Sequence, residues 1–362
     1  IQIGHSGILD AISDEHAAIA ERHGVRSSVA IPILDAQDHP MMVVLLHGAY
    51  PGQFSTAPMR MWLESVQHLI TPVFQRLERG LATKTPLDTF TRQRLRALLF
   101  DDQLQIMVQP IVTLRTGAVD KVEVLARLRD GDQLVSPATF LPAFGQQDLQ
   151  VLFRKGLRQI LEWLGTWDAQ GVCVDASINL PPSVLVSPDC PRWIEEELQT
   201  HQLAPSRLFL ELLETEDDAQ DVARRDAAVA QLATLGVRLV MDDLGSGYSS
   251  LQRLRTLPFH AVKIDQELVK HAAQDSHQTV PFIGSLVGMA QTLGLAVVIE
   301  GLETNDLVEM ASGLGAEYGQ GYALARPFLP EKFEDWAKQS RAFSWMTERS
   351  TELGKLAFSF LE

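Results

Sequence analysis

An alternation of apolar, strand-like runs with helical stretches occupies residues 103–328, and it limits the fold more than any other feature of the chain. Helical spacing is clearest over residues 149–164, 219–235 and 279–293. Strands that alternate with helices predict a parallel sheet covered by those helices. The segment is close to the roughly 250 residues of an eight-stranded parallel barrel. We therefore expect an α/β fold with a TIM-like (β/α)8 barrel over residues 103–330.

Several of the strand-like runs end in a polar residue that a core would reject unless the residue were paired or bound to a metal. These residues are Glu123, Asn179, Glu211, Asp242, Asp243, Lys263 and Glu300. Parallel barrels carry their sites at the carboxyl ends of the strands. The pattern therefore predicts one polar site at one end of the barrel.

Five carboxylates and one amide make an all-oxygen set, which selects hard cations such as Mg²⁺, Mn²⁺ or Ca²⁺ over zinc. So many negative charges would repel one another unless more than one cation neutralised them. The adjacent Asp242 and Asp243 can serve two metals, an arrangement suited to phosphoryl displacement. Lys263 could hold an attacking water or offset charge, and Arg127 could pair with a phosphate. Lys263 and Asp265 are two residues apart on a strand, so both should point into the barrel.

Each of these residues taken alone has an ordinary explanation. A single acidic residue at a strand end is more often a helix N-cap or a surface ion pair. The glycine-rich stretch after Asp243 could be only a turn, and Glu214 and Glu303 could be plain surface charges. The joint pattern, in order and at strand–helix spacing, favours a built site.

The composition limits the partners and the setting of the protein. A formal net charge of −15 argues against binding a DNA or RNA polymer, which needs a basic face. No apolar run approaches the roughly 20 residues of a membrane span, so no membrane segment is expected. The two cysteines, Cys173 and Cys190, are too few for a disulfide framework and favour a cytoplasmic setting. We expect Cys173, which lies between two valines, to be a small core residue.

The flanking segments differ from the barrel segment. Residues 1–80 predict a partial α/β domain with a hairpin formed by residues 26–34 and 41–47 and a helix over residues 58–81. Because two strands and a helix make a thin core, we expect that only part of this domain is present. Residues 81–102 predict a helical linker, and residues 331–362 predict a C-terminal helical extension.

Separated motifs, in order over residues 103–327, resemble those of the EAL-domain cyclic di-GMP phosphodiesterases. They are Gln109-Pro110-Ile111, Glu123-Val124-Leu125-Ala126-Arg127, Ser177-Ile178-Asn179-Leu180, Leu210-Glu211-Leu212-Leu213-Glu214, Asp242-Asp243-Leu244-Gly245-Ser246-Gly247, Lys263-Ile264-Asp265, Glu300-Gly301-Leu302-Glu303 and Gln320-Gly321-Tyr322. The departures from the family pattern, such as Val124 and Leu244, remove no ligand. Residues 1–80 more loosely resemble the second half of a GAF sensor domain, whose ligand is unknown.

The resemblance implies a barrel with one antiparallel strand that hydrolyses cyclic di-GMP to the linear dinucleotide with two Mg²⁺ or Mn²⁺ ions, Ca²⁺ being inactive or inhibitory. It implies that Glu123, Asn179, Glu211 and Asp242 hold one metal and that Asp242, Asp243 and Glu300 hold the other. Lys263, Glu300 and Glu123 would be catalytic, with Lys263 positioning the water. Substrate would contact Gln109, Arg127, Asp265 and Gln320. A regulatory loop linked to homodimer formation would involve Glu214, Gly245, Ser246, Gly247 and Glu303.

Three other functions fit parts of the pattern. A cyclic di-GMP receptor that no longer hydrolyses its ligand should lack several of the metal ligands, whereas this chain lacks none. Proton abstraction beside a carboxylate, as in enolase-type barrels, would use one metal, while the adjacent aspartates favour two. A purely structural barrel would gain nothing from burying so many charges.

Overall fold

The computed structural model describes residues 2–5, 24–34, 40–56, 58–60, 62–63, 67, 87–213, 219–244, 250–272, 275–339 and 350–359. The chain divides into two compact units, Ile1–Leu87 and Asp88–Glu362.

The first unit contains a three-stranded antiparallel sheet in the order β1 (Gln2–His5), β2 (Ser27–Leu34) and β3 (Pro40–Gly48). The β2–β3 pair is the predicted hairpin, and β1 is an additional strand that the sequence pattern did not indicate. Alternation along β2 buries Val29, Ile31 and Ile33 against Phe54 and Leu63. Residues 58–60, 62–63 and 67 are helical, as predicted; the rest of that predicted helix lies outside the described residues.

The second unit is built on a closed barrel of eight strands. They are β4 (Leu104–Thr113), β5 (Val119–Asp130), β7 (Asp175–Asn179), β8 (Leu208–Leu213), β9 (Arg238–Leu244), β10 (Ala261–Ile264), β11 (Ala296–Ile299) and β12 (Tyr318–Gly319). The hydrogen-bonded order is β4-β12-β11-β10-β9-β8-β7-β5, and pairing of β5 with β4 closes the ring. The predicted TIM-like α/β barrel is confirmed.

Strand β4 runs antiparallel to both of its neighbours, β5 and β12, while the other barrel pairs are parallel. This is the one antiparallel strand that the family resemblance implied. Beyond its pairing with β7, strand β5 continues and pairs with β6 (Gln133–Val135) in a hairpin. Glu123 therefore lies inside a twelve-residue strand and not at its end, because the antiparallel partners β4 and β6 extend β5 past the barrel mouth.

Helices follow the strands around the barrel. They are α1 (Thr89–Phe100), α2 (Pro137–Phe140), α3 (Gln146–Ala169), α4 (Pro182–Leu185), α5 (Cys190–Thr200), α6 (Ala219–Thr234), α7 (Ser250–Thr256), α8 (Gln266–Ala272), α9 (Ser276–Thr292), α10 (Asn305–Gly313), α11 (Phe333–Lys338) and α12 (Glu352–Phe358). Single 3₁₀ turns cover Leu141–Ala143, Pro205–Arg207 and Pro330–Lys332. None of the described helices is both long and apolar enough to cross a membrane.

The apolar faces of these helices and the outward side chains of the strands form one large core. Helix α3 contributes Phe153, Leu157, Ile160, Leu164 and Trp167 at three- to four-residue spacing, which is the pattern of a helix with one buried face. Burial of these side chains against the barrel supplies the main stabilisation of the unit, at about 1.5–3 kcal/mol for each large apolar side chain.

Helix α1, in the predicted linker, belongs to the second unit and buries Leu95 and Leu99. Asp88 begins this helix by accepting a hydrogen bond from the Thr91 amide at 2.9 Å.

The C-terminal segment forms two helices, α11 and α12; residues 340–349 lie outside the described residues. Helix α12 packs on α10, where the buried Glu309 carboxylate accepts hydrogen bonds from the Ser350 hydroxyl and from the amide and hydroxyl of Thr351.

Both cysteines are free thiols. The expectation for Cys173 was wrong, since its side chain is exposed while Val174 is buried. In the segment just before β7, neighbouring residues differ in burial, and the Cys173 side chain is the one exposed to solvent.

Candidate active site

A cavity of about 220 Å³ opens at the mouth formed by the carboxyl ends of the parallel strands. The predicted site residues that line it are Gln109, Glu123, Asp242, Lys263, Glu300, Glu303 and Gln320. They come from six different strands or from the loops that follow them, and closure of the barrel brings them together.

Lys263 is the centre of the cluster. It lies on β10 between Val262 and Ile264, which are also buried, and its 2 % exposed side chain points into the barrel. Its Nζ lies 3.2 Å from Glu123 Oε2 and 3.1 Å from Glu211 Oε1. The same atom lies 3.7 Å from Asp242 Oδ1 and 2.5 Å from Glu300 Oε1. One ammonium group is therefore shared by four carboxylates of four other strands or strand ends.

A β-bulge explains how two consecutive aspartates serve the same site. In a regular strand Asp242 and Asp243 would point to opposite faces. The register of β9 and β10 pairs Met241 with Val262 and then Leu244 with Ile264, so that both aspartates stand opposite Lys263 alone. Asp243 takes a left-handed conformation, with φ of +57°, at this point. As a result oxygens of both aspartates lie within 4.8 Å of one another and of a Glu300 oxygen.

Amide side chains hold Glu123 from the other side. Gln320, which directly follows β12, donates through Nε2 to Glu123 Oε2 at 2.6 Å and to Gln109 Oε1 at 3.2 Å. Gln109 stands opposite Glu123 in the β4–β5 register and donates to the Ala325 carbonyl at 3.0 Å. The Nδ2 atom of Asn179 lies 3.3 Å from Glu123 Oε1. These contacts fix both oxygens of Glu123 before any ligand binds.

Burial shifts the protonation of the acidic groups upward. It raises the pKa of the fully buried Glu211 well above its usual value, and the neighbouring Glu123 charge adds to this effect. Burial, with the added charge of Asp242, raises the pKa of Asp243 to about 6. Burial likewise raises the pKa of Glu300 to about 7, against the opposing effect of Lys263.

Burial alone would lower the pKa of Lys263, but the carboxylates of Glu123 and Glu211, with Glu300 and Asp242, hold it well above its usual range. The Lys263 ammonium group therefore stays charged. Its single positive charge is not enough to balance the carboxylates around it. This is the electrostatic condition that a divalent cation relieves.

The side chains fit such a cation. Asp242, Asp243 and Glu300 are the one group of three acidic side chains with oxygens within 4.8 Å found over the described ranges. Carboxylate oxygens are the ligands that Mg²⁺ and Mn²⁺ prefer, so these three residues would hold such an ion. The second set predicted from the sequence, with Glu123, Asn179 and Glu211, is instead gathered by Lys263 and hydrogen bonds. Glu211 Oε2 is buried and has no hydrogen-bond partner among the described residues.

Other predicted residues lie nearby in different roles. Arg127 is half-buried on β5, and its Nη1 donates to the Ala126 carbonyl at 2.8 Å. Asp265 directly follows β10, and its Oδ1 accepts from the Glu267 amide at 3.0 Å at the start of α8. This is the helix-capping role that any single aspartate at a strand end can have. Glu303 is exposed at the rim of the cavity. The predicted loop residues Glu214, Gly245, Ser246 and Gly247 lie outside the described residues.

Two features of the site were not among the predicted functional residues. The Ser177 hydroxyl donates to Glu211 Oε1 at 2.6 Å across the β7–β8 pair. Tyr322, 49 % exposed, lines the cavity beneath the Arg326 guanidinium, which lies 4.4 Å from the ring centroid. For Ser177, its position two residues before Asn179 on one strand was the available signal. For Tyr322, the available signal was its position directly after the Gln320-Gly321 pair.

The chain belongs to the EAL domain family, which it matches over residues 92–327. A cyclic di-GMP phosphodiesterase of Pseudomonas aeruginosa is 31 % identical over 249 residues, covering 67 % of this chain and 42 % of that protein. An uncharacterized signaling protein of Caulobacter vibrioides is 29 % identical over 345 residues, covering 89 % of this chain and 40 % of that protein. The chain thus spans less than half the length of these two relatives.

Among solved structures, the PaMucR phosphodiesterase in complex with c-di-GMP is similar with a TM-score of 0.62 and 30 % sequence identity. The match covers 67 % of this chain and 99 % of that chain. The family match, over residues 92–327, lies within the second unit, which carries the acidic cavity.

Proposed function

We propose that this chain is a metal-dependent phosphodiesterase that hydrolyses cyclic di-GMP to the linear dinucleotide. The main observation behind this proposal is that four carboxylates converge on Lys263 at one mouth of the barrel, namely those of Glu123, Glu211, Asp242 and Glu300. At the same mouth, oxygens of Asp242, Asp243 and Glu300 form a group suited to a divalent cation. Relatives and a solved structure that bear the names of cyclic di-GMP phosphodiesterases support the same substrate.

Two Mg²⁺ or Mn²⁺ ions would be held by the oxygen side chains of the mouth. Asp242, Asp243 and Glu300 would hold one ion, and Glu123, Asn179, Glu211 and Asp242 the other. Bound there, the ions would supply Lewis acidity and a more acidic water for attack on the phosphodiester. Calcium prefers more ligands and longer distances, so we expect it to bind without supporting turnover.

The chain's own groups would position the reactants. Lys263 Nζ, pointing into the cavity with its charge maintained, can donate to the attacking water or to a phosphate oxygen. The Arg127 guanidinium, with Gln109 and Gln320, would bind the phosphates and the polar edges of the dinucleotide, with Asp265 nearby. The catalytic group in this proposal is Glu123, Lys263 and Glu300, all of which line the cavity.

The direct test is incubation of the protein with cyclic di-GMP and Mg²⁺ or Mn²⁺, with and without chelator, followed by chromatography of the linear product. We expect metal-dependent turnover that Asp242→Asn and Glu123→Ala abolish while circular dichroism stays unchanged. The matched control is Glu197→Gln, since Glu197 is a buried acid that pairs with Arg158 outside the cavity. Full activity in either site variant would refute the assignment.

The second candidate is a cyclic di-GMP receptor without hydrolysis. One observation favours it: the Lys263 ammonium group contacts four carboxylates and balances part of their charge without a metal. Saturable binding of the dinucleotide, with no product after prolonged incubation with Mn²⁺, would support this candidate over the enzyme.

We further propose the organisation that the sequence predicts, with residues 1–80 as a partial GAF-like sensor for an unidentified ligand, 81–102 as a helical linker, 103–330 as the barrel and 331–362 as a C-terminal extension. A cytoplasmic homodimer is the expected form. Phe282, on α9, and Leu293, which directly follows α9, support it as large apolar side chains that are 49 % and 43 % exposed. Regulation would pass through the loop after Asp243 together with Glu214 and Glu303.

A further inference from the structure

Ser177 is a buried polar residue directly behind the acidic cluster. It lies on β7, two residues before Asn179, and is 2 % exposed. Its hydroxyl donates to Glu211 Oε1 at 2.6 Å. We propose that Ser177 is a positioning residue that orients the Glu211 carboxylate for a divalent cation. This inference rests on the proposed function only in taking the mouth of the barrel to be a metal site.

The two oxygens of Glu211 have different surroundings. Oε1 accepts from Ser177 and also lies 3.1 Å from Lys263 Nζ. Glu211 is 0 % exposed, and its Oε2 is buried without a hydrogen-bond partner among the described residues. Buried carboxylate oxygens without a partner are rare in native proteins and call for an explanation. In an all-oxygen acidic cluster, the missing partner of Oε2 is a cation.

The Ser177 hydroxyl determines which oxygen is left open. The terminal torsion of a glutamate is broad and roughly two-fold, so either oxygen can take either place unless a neighbour distinguishes them. Lys263 cannot do this alone, because its Nζ is shared with Glu123 and Glu300 as well. The short hydrogen bond from Ser177 holds Oε1 on the β7 side and leaves Oε2 free. Partners of metal ligands act in this way in other metal sites.

The hydroxyl is not required for the fold of the strand. β7 buries Ala176 and Ile178 on its other face and pairs with β5 and β8 through its backbone, so the strand pairing does not use the Ser177 hydroxyl. A serine here is explained by what its hydroxyl donates to, which is a single oxygen of Glu211.

The test uses metal alone, without dinucleotide. Mn²⁺ binding is measured by isothermal titration calorimetry for the wild type, Ser177→Ala and Ser177→Thr. We expect Ser177→Ala to bind Mn²⁺ about 10- to 100-fold more weakly, as for other residues that orient metal ligands, and Ser177→Thr to bind within a few-fold of wild type. The matched control is Ser183→Ala, since the Ser183 hydroxyl is buried but has no hydrogen-bond partner among the described residues.

A second measurement separates positioning from general damage to the fold. In a Glu211→Gln background, adding Ser177→Ala should weaken Mn²⁺ binding no further, because the ligand that Ser177 orients is already impaired. Circular dichroism and the urea midpoint of each variant report the fold.

The inference is overturned if Ser177→Ala binds Mn²⁺ with wild-type affinity, if its loss is equal in the Glu211→Gln background, or if the wild type binds no Mn²⁺. It is independent of turnover. A wild type that binds Mn²⁺ but yields no linear product would remove the proposed phosphodiesterase activity and leave the role of Ser177 intact.

Discussion

Replacing Lys263 by Met removes the one buried cation that contacts four carboxylates. At an effective dielectric constant of about 20, two unit charges 3.2 Å apart interact by about 5 kcal/mol. Repulsion among the carboxylates and their partial protonation offset much of the sum over four pairs. Loss of one partner of a buried ion pair costs about 3–5 kcal/mol, and we expect that loss of unfolding free energy for Lys263→Met without metal at pH 8.

The assay is urea unfolding of the full chain followed by tryptophan fluorescence, because Trp167 is buried in the barrel unit. With a slope of about 3 kcal/mol/M, the expected loss lowers the midpoint by about 1 to 2 M urea. Millimolar Mn²⁺ should restore part of the difference, since it returns positive charge to the same carboxylates. The control is Lys270→Met. Lys270 pairs with Glu267 at the exposed surface, where solvent screens the interaction, so this substitution should leave the midpoint almost unchanged.

The pH dependence of this loss has a definite sign. A carboxyl group whose pKa is raised by folding destabilises the folded state above that pKa and does so less as the pH falls. The pKa of Glu300 is about 7 and that of Asp243 about 6, so at pH 6 fewer negative charges remain for Lys263 to balance. The variant should therefore lose less stability at pH 6 than at pH 8. Equal midpoints for wild type and Lys263→Met at pH 8 without metal would refute this account of the cluster.

Three further predictions concern other parts of the barrel unit. A methyl group on Gly321 would collide with the backbone of Leu302, so Gly321→Ala should lower the unfolding free energy by about 1–3 kcal/mol. By displacing the neighbouring Gln320, the substitution should also reduce turnover. Unchanged turnover and an unchanged urea midpoint would contradict this prediction. Burial raises the pKa of Cys190 to about 12 while Cys173 is exposed, so a thiol reagent at pH 8 should label one cysteine per native chain and two in urea; rapid labelling of both in the native protein would count against it. Burial alone would raise the pKa of Glu309, but hydrogen bonds from the segment before α12 hold this pKa below its usual value. Glu309→Gln should therefore lower the urea midpoint at pH 7, and by progressively less as the pH falls below about 4.5. A difference in midpoint that grows at low pH would contradict the assignment.

Much of the fold can be read from local patterns. The strand–helix alternation over residues 103–328 predicts the barrel because each element buries one face, and that face is encoded by spacing along the chain. The polar residues that interrupt the apolar runs, such as Glu211 and Lys263, mark the mouth because a buried strand tolerates charge only where it has a partner. The hairpin of β2 and β3 follows from the turn residues between two apolar runs.

The arrangement inside the mouth depends on contacts between residues far apart in sequence. Lys263 and Glu123 are 140 residues apart, and Gln320 and Glu123 are 197 apart, so no local pattern states that they meet. The bulge that puts Asp243 beside Asp242 is also a tertiary property, because it depends on the register between β9 and β10.

By itself, the sequence determined the barrel, its antiparallel strand through family resemblance, and the set of oxygen-bearing residues at its mouth. Periodicity and motif order are local quantities, and they are sufficient for these conclusions. Only the tertiary structure decided that β5 continues past Glu123, that one lysine balances four carboxylates, and that Ser177 leaves a single oxygen of Glu211 open. Closure of the ring sets these distances, and an ion pair or hydrogen bond forms only where closure brings its two partners within reach.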